Sequence, residues 1–249
     1  MNSLEGKVAF ITGGNKGIGF GIAQVLLEQG MKVAISSRNL ETAQSAAQEL
    51  EDSTGGTVLP LAVNVREYDH LESACGNIIA KFGRLDVLVA NAGIGHFAPI
   101  DEMEPAKWEE LIDTNVNGVF YSIKACVDAL KKSKGYIFTI SSLAGTNFFP
   151  TASAYNASKF AVTGMTQSIM LDLRKYDIRV STIMPGSVTS HFNGHTPTAE
   201  DAWKIQPEDI GELLVDLLKI NLFPGDIQKK SAAIPSFLVK ILAVSMFIS

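Results

Sequence analysis

The residues that decide the fold are Val8-Ala9-Phe10-Ile11-Thr12-Gly13-Gly14-Asn15-Lys16-Gly17-Ile18-Gly19. A short continuous apolar run closed by a glycine pair is typical of a strand buried on both faces of a parallel sheet. The residues that follow, 18–28, have a helical pattern that ends at Gly30. A strand, a glycine-rich turn and a helix in this order predict the first unit of an α/β domain.

The same unit repeats along the chain. Further strands are predicted at residues 31–36, 58–63, 85–90, 135–140 and 179–184, and further helices at 40–50, 71–82, 108–130 and 154–174. Strands that alternate with helices require right-handed crossovers, which place helices on both faces of one sheet. The sequence therefore predicts a three-layer α/β fold with a doubly wound parallel sheet.

Composition limits the classes of protein to consider. The chain has 249 residues, of which 46% are hydrophobic and 19% charged, as expected of a globular protein with a sizeable core. Its net charge is -5 and no basic stripe is visible, which argues against nucleic-acid binding. The two cysteines, Cys75 and Cys126, form no disulfide framework, and residues 1–7 show no export signal. We expect a cytoplasmic protein.

The glycine-rich turn after the first strand is a candidate phosphate site. Glycines at 13, 17 and 19 leave room for the backbone to approach a pyrophosphate at a helix N-terminus. The spacing is neither GxGxxG nor a Walker A loop, because no Lys-Ser/Thr pair follows Gly19. Such a turn can also be a turn and nothing more, but its position between a strand and a helix favours phosphate binding.

The end of the second strand bears on the choice of dinucleotide. A site for NAD(H) carries an acid there that accepts from the ribose hydroxyl, whereas this chain has Ser36-Ser37-Arg38. Arg38 and Lys16 offer two cations where a 2′-phosphate would lie. We therefore expect NADP(H) rather than NAD(H). The alternative is that both are solvated surface charges.

Tyr155 and Lys159 are the candidate proton-transfer pair. They are four residues apart in a predicted helix and so share a face. An ammonium beside a phenol favours the phenolate, which lowers the pKa and makes tyrosine a usable general acid or base. The alternative is a half-buried packing tyrosine and a solvated lysine, since this spacing is common by chance.

Small and polar residues follow the other strand ends. Asn91-Ala92-Gly93 follows the fourth strand, Ser142 the fifth, and Pro185-Gly186 the last. Asn115 lies with Asn117 and Gly118 inside an otherwise apolar helix, where such residues are poor helix formers. A local conflict of this kind more often marks a site than a mistake.

Together these motifs resemble the short-chain dehydrogenase/reductase superfamily over roughly residues 5–220. The resemblance rests on Thr12–Gly19, Asn91-Ala92-Gly93, Asn115, Ser142, Tyr155-Asn-Ala-Ser-Lys159 and Pro185-Gly186, in family order and spacing. It implies a Rossmann fold in which Tyr155 is the general acid/base and Ser142 orients the carbonyl or alcohol. It also implies that Lys159 lowers the tyrosine pKa and binds the nicotinamide ribose, and that Asn115 supports a water-linked proton path.

The resemblance further implies the cofactor contacts. It places Asn91 near the adenosine ribose and Val188 and Thr189 near the carboxamide, and it puts Asn64 where the family often has an aspartate facing adenine. The full set of predicted cofactor-binding residues is Gly13, Asn15, Lys16, Gly17, Ile18, Gly19, Ser37, Arg38, Asn64, Val65, Asn91, Ala92, Gly93, Tyr155, Lys159, Pro185, Gly186, Val188 and Thr189.

The resulting hypothesis is an NADP(H)-dependent oxidoreductase that acts on a carbonyl or secondary alcohol, similar to carbonyl reductases and 3-oxoacyl reductases. The nicotinamide exchanges a hydride with carbon while Tyr155 exchanges a proton with oxygen, so no metal is needed. A cofactor-binding sensor or scaffold without turnover, and an isomerase or epimerase, remain alternatives. We expect small-molecule substrates, no nucleic acid, and a homodimer or homotetramer.

The region beyond the last strand carries three further predictions. His191 and His195 lack a third ligand, so residues 187–206 are interpreted as a substrate lid rather than a metal site. Loop residues that would line an apolar pocket, unless they serve core or interface packing, are His96, Phe97, Phe148, Phe149, Phe192 and Trp203.

We expect one dinucleotide-binding catalytic domain over residues 1–230. The apolar tail 231–249 is short for a ~30 Å membrane core, and we favour protein contact for it over membrane docking.

Overall fold

The computed structural model describes residues 3–220. Its six strands are β1 (Val8–Ile11), β2 (Lys32–Ser37), β3 (Thr57–Ala62), β4 (Val87–Ala90), β5 (Tyr136–Ile140) and β6 (Arg179–Ile183). All neighbouring pairs are parallel, and the order across the sheet is β3-β2-β1-β4-β5-β6. The doubly wound parallel sheet is confirmed. The strand order reverses between β1 and β4, so their carboxyl ends border the crevice where such sheets bind ligands.

The helices cover both faces of the sheet. Their bounds are α1 (Gly17–Glu28), α2 (Leu40–Thr54), α3 (Tyr68–Phe82), α4 (Pro105–Ile112), α5 (Gly118–Ser133), α6 (Ser153–Leu173) and α7 (Pro207–Lys219). Short 3-10 turns lie at Leu143–Gly145, Arg174–Tyr176, Phe192–Gly194 and Ala199–Trp203. Within residues 3–220 no helix combines the length and apolarity that a membrane crossing requires. The predicted tail at 231–249 falls outside the described residues.

Each strand contributes to two hydrophobic cores. Ala9 and Ile11 of β1 pack in the core under α1, α2 and α7, whereas Val8 and Phe10 pack in the core under α3, α5 and α6. Burial on both faces explains the continuous apolar run of β1, because no position along it faces water. The two cysteines are buried and free in the second core.

The predicted helix 108–130 is helical throughout but contains a π-helical turn. A π-helical turn at Asp113–Asn117 separates α4 from α5, and the Gly118 N–H bonds to the carbonyl of Asp113, five residues earlier. Asn115 lies inside this turn and is buried. Its side chain bonds to backbone outside the helix, which stabilises the widened turn.

Candidate active site

The glycine-rich loop forms a close-packed cradle at the end of β1. Gly13 and Gly17 have φ angles of 64° and 56°, which side chains rarely adopt. A Cβ atom on Gly19 would lie 2.5 Å from the Gly13 carbonyl oxygen and 2.6 Å from Nδ2 of Asn91. α1 begins at Gly17, and the side chain of Lys16 does not cap its first N–H groups. These N–H groups therefore remain able to bind an anion.

Asn91 and Thr12 join the ends of β4 and β1. Nδ2 of Asn91 donates to the carbonyl oxygens of Thr12 at 2.9 Å and Gly13 at 3.1 Å. The Thr12 hydroxyl accepts from the backbone N–H groups of Asn91 at 3.0 Å and Ala92 at 3.1 Å. The amide of Asn91 therefore positions the loop. Sequence reasoning did not assign this role to Thr12, although a polar residue that ends an apolar strand was the available signal.

The other loop residues sit on either side of that junction. Ile18 packs against the first core, and Ala92 packs against the second. Asn15 is partly buried and Gly93 is exposed, so both border solvent in the crevice.

The two cations of the predicted cofactor site follow β1 and β2, and Asn64 follows β3. Lys16 and Arg38 are exposed, and neither forms an ion pair with any residue in the described range 3–220. The Ser37 hydroxyl bonds to Thr42 Oγ1 at 2.6 Å. Asn64 Oδ1 accepts from the backbone N–H of Arg66 at 3.3 Å, so this acceptor is shared with the following turn. The two cations are thus unneutralised by neighbouring carboxylates.

Val65 buttresses the start of α5. It is buried, and a Cβ on Gly118 would lie 2.8 Å from Val65 Cγ2. The close contact sets the α5 N-terminus against the loop after β3.

Tyr155 and Lys159 lie on one face of α6, as predicted, and both are buried. Nζ of Lys159 donates to the carbonyl oxygen of Ile140 at 3.0 Å and lies 5.6 Å from the centroid of the Tyr155 ring. Burial lowers the pKa of Lys159 from 10.5 to about 8. Lys159 is therefore part of the buried site rather than a solvated surface residue.

The pKa of Tyr155 is raised in this structure, whereas the sequence predicts that Lys159 lowers it. Burial raises the pKa of Tyr155, and a hydrogen bond with the Ser142 hydroxyl opposes this only in part. The reason is geometric, since the Lys159 ammonium bonds to the end of β5 and not to the phenol. The structure therefore holds Tyr155 as a neutral phenol, which is a proton donor.

Ser142 and Pro185 border the same cleft at the ends of β5 and β6. Ser142 Oγ accepts from the Ala144 N–H at 3.1 Å and contacts Tyr155. The Leu143 N–H donates to the Pro185 carbonyl at 3.0 Å, which ties the two strand ends together beside Gly186. These contacts bring Ser142 close to Tyr155.

Asn115 anchors the loop after β4 to the π turn. Its Oδ1 accepts from the Ile94 N–H at 2.8 Å, and its Nδ2 donates to the Ile94 carbonyl at 2.9 Å and to Ser158 Oγ at 3.1 Å. Ser158 in turn donates to the Tyr155 carbonyl at 2.8 Å. A continuous set of hydrogen bonds therefore connects the β4 loop to the tyrosine helix. Ser158, which sequence reasoning missed, lies between the two candidate residues of α6.

Two of the six residues predicted to line an apolar pocket have rings that contact Tyr155. The rings of Phe97 and Phe192 contact Tyr155, with centroid distances of 5.2 Å and 5.7 Å. His96 is turned toward Glu110, 2.9 Å away. The remaining three predicted residues have no ring contact with Tyr155 and are more exposed: Phe148 (87%), Phe149 (48%) and Trp203 (64%).

The predicted lid, residues 187–206, is a strap pinned at both ends. Val188 bridges to Ile205, and the Thr189 N–H donates to the Ile205 carbonyl at 2.9 Å. The Thr189 hydroxyl donates to the Asp201 carbonyl at 3.0 Å and accepts from Gln206 Nε2 at 3.1 Å. Val188 and Thr189 are thereby fixed at the end of β6.

Asp201 is the centre of this strap. Its carboxylate accepts from the Thr198 N–H at 2.9 Å and from His195 Nε2 at 2.8 Å, and pairs with Lys204 Nζ at 2.5 Å. Lys204, Thr198 and His195 together lower the pKa of the Asp201 carboxyl. In the described part of the chain, no three His, Cys, Asp or Glu side chains cluster as metal ligands would.

Known proteins share the sequence pattern of this chain. A family model described as short chain dehydrogenase matches residues 7–201. The 3-oxoacyl-[acyl-carrier-protein] reductase of Chlamydia muridarum is 34% identical over 206 residues, 82% of this chain and 83% of the relative. The trans-4-hydroxycyclohexanecarboxylate dehydrogenase of Sinomonas cyclohexanicum is 34% identical over 223 residues, 85% of each protein.

Solved structures of dehydrogenases have a similar fold. The alcohol dehydrogenase of the archaeon Thermococcus sibiricus, complexed with 5-hydroxy-NADP, superposes with a TM-score of 0.81 at 30% identity, over 86% of this chain and 91% of that chain. A short chain dehydrogenase of Mycobacterium paratuberculosis bound to NAD has a TM-score of 0.78 at 26% identity, with the same coverage of both chains. Similar folds thus bind either nicotinamide dinucleotide.

Proposed function

The chain belongs to the short-chain dehydrogenase family of oxidoreductases, and we propose that it is an NADP(H)-dependent member that reduces a carbonyl or oxidises a secondary alcohol. The observation that carries the proposal is the meeting of Tyr155, Ser142 and Lys159 at the carboxyl ends of β5 and β6. A donor, an orienting hydroxyl and a buried amine in one cleft match general acid/base chemistry on a carbonyl oxygen.

The cradle at the end of β1 fits a dinucleotide. The space at Gly19 is too small for a methyl group, and the α1 N-terminus offers uncapped N–H groups for a pyrophosphate. The remaining residues that would hold the dinucleotide are those that the sequence predicts. Lys16 and Arg38 would hold a 2′-phosphate, which supports NADP(H) over NAD(H).

The protein's own part of the chemistry is proton transfer and orientation. A bound nicotinamide supplies or accepts the hydride. Tyr155, a neutral phenol whose pKa is raised by burial, donates a proton to the carbonyl oxygen, while Ser142 holds that oxygen beside the phenol. Lys159, with a pKa of about 8, exchanges protons readily near neutral pH and would hold the ribose next to Tyr155.

The assembly state is proposed on separate grounds. Phe160 and Leu171 on α6 and Phe120 on α5 have exposed fractions of 45%, 65% and 48%. Apolar side chains of this size on adjacent helices support a homodimer or homotetramer. The family match over residues 7–201 supports a single catalytic domain within residues 1–230.

The test is oxidation of NADPH and NADH by the purified protein with a panel of ketones, aldehydes and 3-oxoacyl thioesters. We expect turnover with at least one class, and a loss of about 10²–10⁴-fold in Tyr155→Phe, as for removal of a general acid. Tyr176→Phe, which alters an exposed ring on the 3-10 turn before β6, is the matched control. NADPH binding without turnover on any substrate would support the sensor instead.

A further inference from the structure

Three aromatic rings meet at the candidate active site. Phe97 lies 5.2 Å from Tyr155 with an angle of 50° between the ring planes, and Phe192 lies 5.7 Å away with an angle of 55°. These tilted arrangements are favourable contacts between aromatic quadrupoles. The phenol is therefore approached by one ring from the loop after β4 and by another from the strap 187–206.

Gly95 creates the space in which the two phenylalanines meet. A Cβ on Gly95 would lie 2.7 Å from Cζ and 2.8 Å from Cε1 of Phe192, and 2.9 Å from Cε2 of Phe97. A side chain at residue 95 would displace Phe192 from Tyr155. The absence of one lets the strap deliver a ring to this position.

The two phenylalanines differ in how they are held. The loop that carries Phe97 is fixed on both sides, by His96 bonded to Glu110 at 2.9 Å and by the Ala98 N–H bonded to the Thr151 carbonyl at 2.8 Å. Phe192 belongs to a short 3-10 turn whose next residue, Asn193, has a φ of 53°. Phe97 therefore comes from a loop that is bonded to α4 and to the residues before α6, whereas Phe192 comes from a 3-10 turn of the strap.

The three aromatic side chains differ in their exposed fraction. Tyr155 is 9% exposed, whereas Phe97 is 39% and Phe192 is 38% exposed. A carbonyl compound that binds beside the Tyr155 hydroxyl would cover the exposed parts of both phenylalanine rings. A flat ring attached to its carbonyl carbon can form aromatic contacts with these rings, whereas a flexible alkyl chain covers area without such contacts.

We propose that the substrate is a ketone or secondary alcohol with an aromatic group next to the reacting carbon, held between Phe97 and Phe192 over Tyr155. This inference rests on the proposed function and narrows its substrate class. Phe97 and Phe192 are the residues that set specificity, and Gly95 permits their arrangement.

The test compares two eight-carbon ketones, acetophenone and 2-octanone, by NADPH oxidation. The measured quantity is the ratio of the two kcat/KM values in the wild type and in Phe97→Leu and Phe192→Leu, which keep apolar volume but remove a ring. Phe148→Leu is the control, because Phe148 is 87% exposed and its ring does not contact Tyr155. We expect the wild type to favour acetophenone and each site variant to lower the ratio about three- to tenfold, as loss of an aromatic pair would.

The other outcomes distinguish failure of the aromatic substrate assignment from failure of the proposed oxidoreductase function. A wild type that prefers 2-octanone, or site variants whose ratio equals that of Phe148→Leu, would overturn the aromatic assignment. Reduction of 3-oxoacyl thioesters or other carbonyls, but of neither eight-carbon ketone, would overturn it as well and leave the oxidoreductase intact. Absence of Tyr155-dependent NADPH oxidation with every carbonyl in the panel would reject the proposed function itself, and the substrate assignment with it.

Discussion

The ammonium group of Lys159 donates to the carbonyl oxygen of Ile140 across 3.0 Å, which fastens the helix α6 to the last residue of β5. This bond keeps a buried amine beside the sheet instead of on the phenol of Tyr155. Burial removes water from the ammonium group, and this desolvation lowers the Lys159 pKa to about 8.

The first prediction concerns stability and pH. Because the folded pKa of Lys159, about 8, lies below the unfolded value of 10.5, protonation opposes folding below pH 8 and ceases to do so as pH rises toward 10.5. The free energy of unfolding of Lys159→Met should therefore exceed that of the wild type by about 1–3 kcal/mol at pH 7. This range already subtracts the contribution of the lost hydrogen bond to Ile140. Urea unfolding at pH 7 and near 10 measures the difference, which should shrink at the higher pH. Lys124→Met, on the exposed side of α5, is the control, and a difference independent of pH would contradict the prediction.

The second prediction concerns cofactor choice. Arg38→Asp replaces a cation with an acid at the end of β2 and should repel a 2′-phosphate while accepting from a ribose hydroxyl. We expect the ratio of the NADPH and NADH dissociation constants to move at least tenfold toward NADH, measured by fluorescence titration. Arg174→Asp, an exposed change on the 3-10 turn before β6, should leave the ratio unchanged. The same ratio in both variants would argue against Arg38 as the phosphate ligand.

The third prediction concerns the π turn. Asn115→Ala removes three hydrogen bonds and leaves the N–H and carbonyl of Ile94 without their partner. Buried groups left unsatisfied cost about 1–3 kcal/mol each, so unfolding free energy should fall by roughly 2–4 kcal/mol. Asn117→Ala removes one exposed bond to Asp113 and should cost less than about 1 kcal/mol. Equal losses in the two variants would show that the anchor to Ile94 contributes little.

The fourth prediction concerns the cradle. Gly19→Ala places a methyl group against the Gly13 carbonyl and the Asn91 amide, so the loop must shift. Dinucleotide affinity should fall at least tenfold by calorimetric titration. The control is Gly76→Ala in the middle of α3, where no atom lies within 4 Å of the added Cβ. That variant should bind normally and gain up to about 1 kcal/mol of stability from helix propensity. Normal binding by Gly19→Ala would rule out this loop as the phosphate cradle.

The fifth prediction concerns the strap 187–206. Asp201→Asn keeps the shape of the side chain but weakens its bonds to His195 and Lys204, so limited proteolysis within the strap should accelerate severalfold. Glu200→Gln, an exposed neighbour, should not change the rate.

The pH dependence of the strap follows from the lowered pKa of Asp201. The carboxylate stabilises the fold fully above its unfolded pKa near ~4, and this stabilisation is lost only as pH falls through the lower folded pKa. Cleavage of the wild-type strap should accordingly stay slow at pH 5, and a sharp rise there would be inconsistent with this assignment.

Local patterns determined much of this protein. Apolar runs and glycine turns specified strands and helices in their order, because side-chain periodicity and turn chemistry act over a few residues. The pairing of Tyr155 with Lys159 on one helical face follows from their spacing alone. Membership of a dehydrogenase family was likewise readable, since its motifs are short and ordered along the chain.

Only the tertiary structure decided how those residues are used. Asn115 bonds to Ile94, 21 residues away, and Asn91 to Thr12, 79 residues away, and no local pattern specifies either contact. The direction of the Tyr155 pKa shift depends on burial and on where Lys159 Nζ points, and the Phe97 and Phe192 contacts depend on two loops meeting over Gly95. Hydrogen bonds, desolvation and ring contacts act between groups brought together through space, so they arise only once the chain has closed around the site.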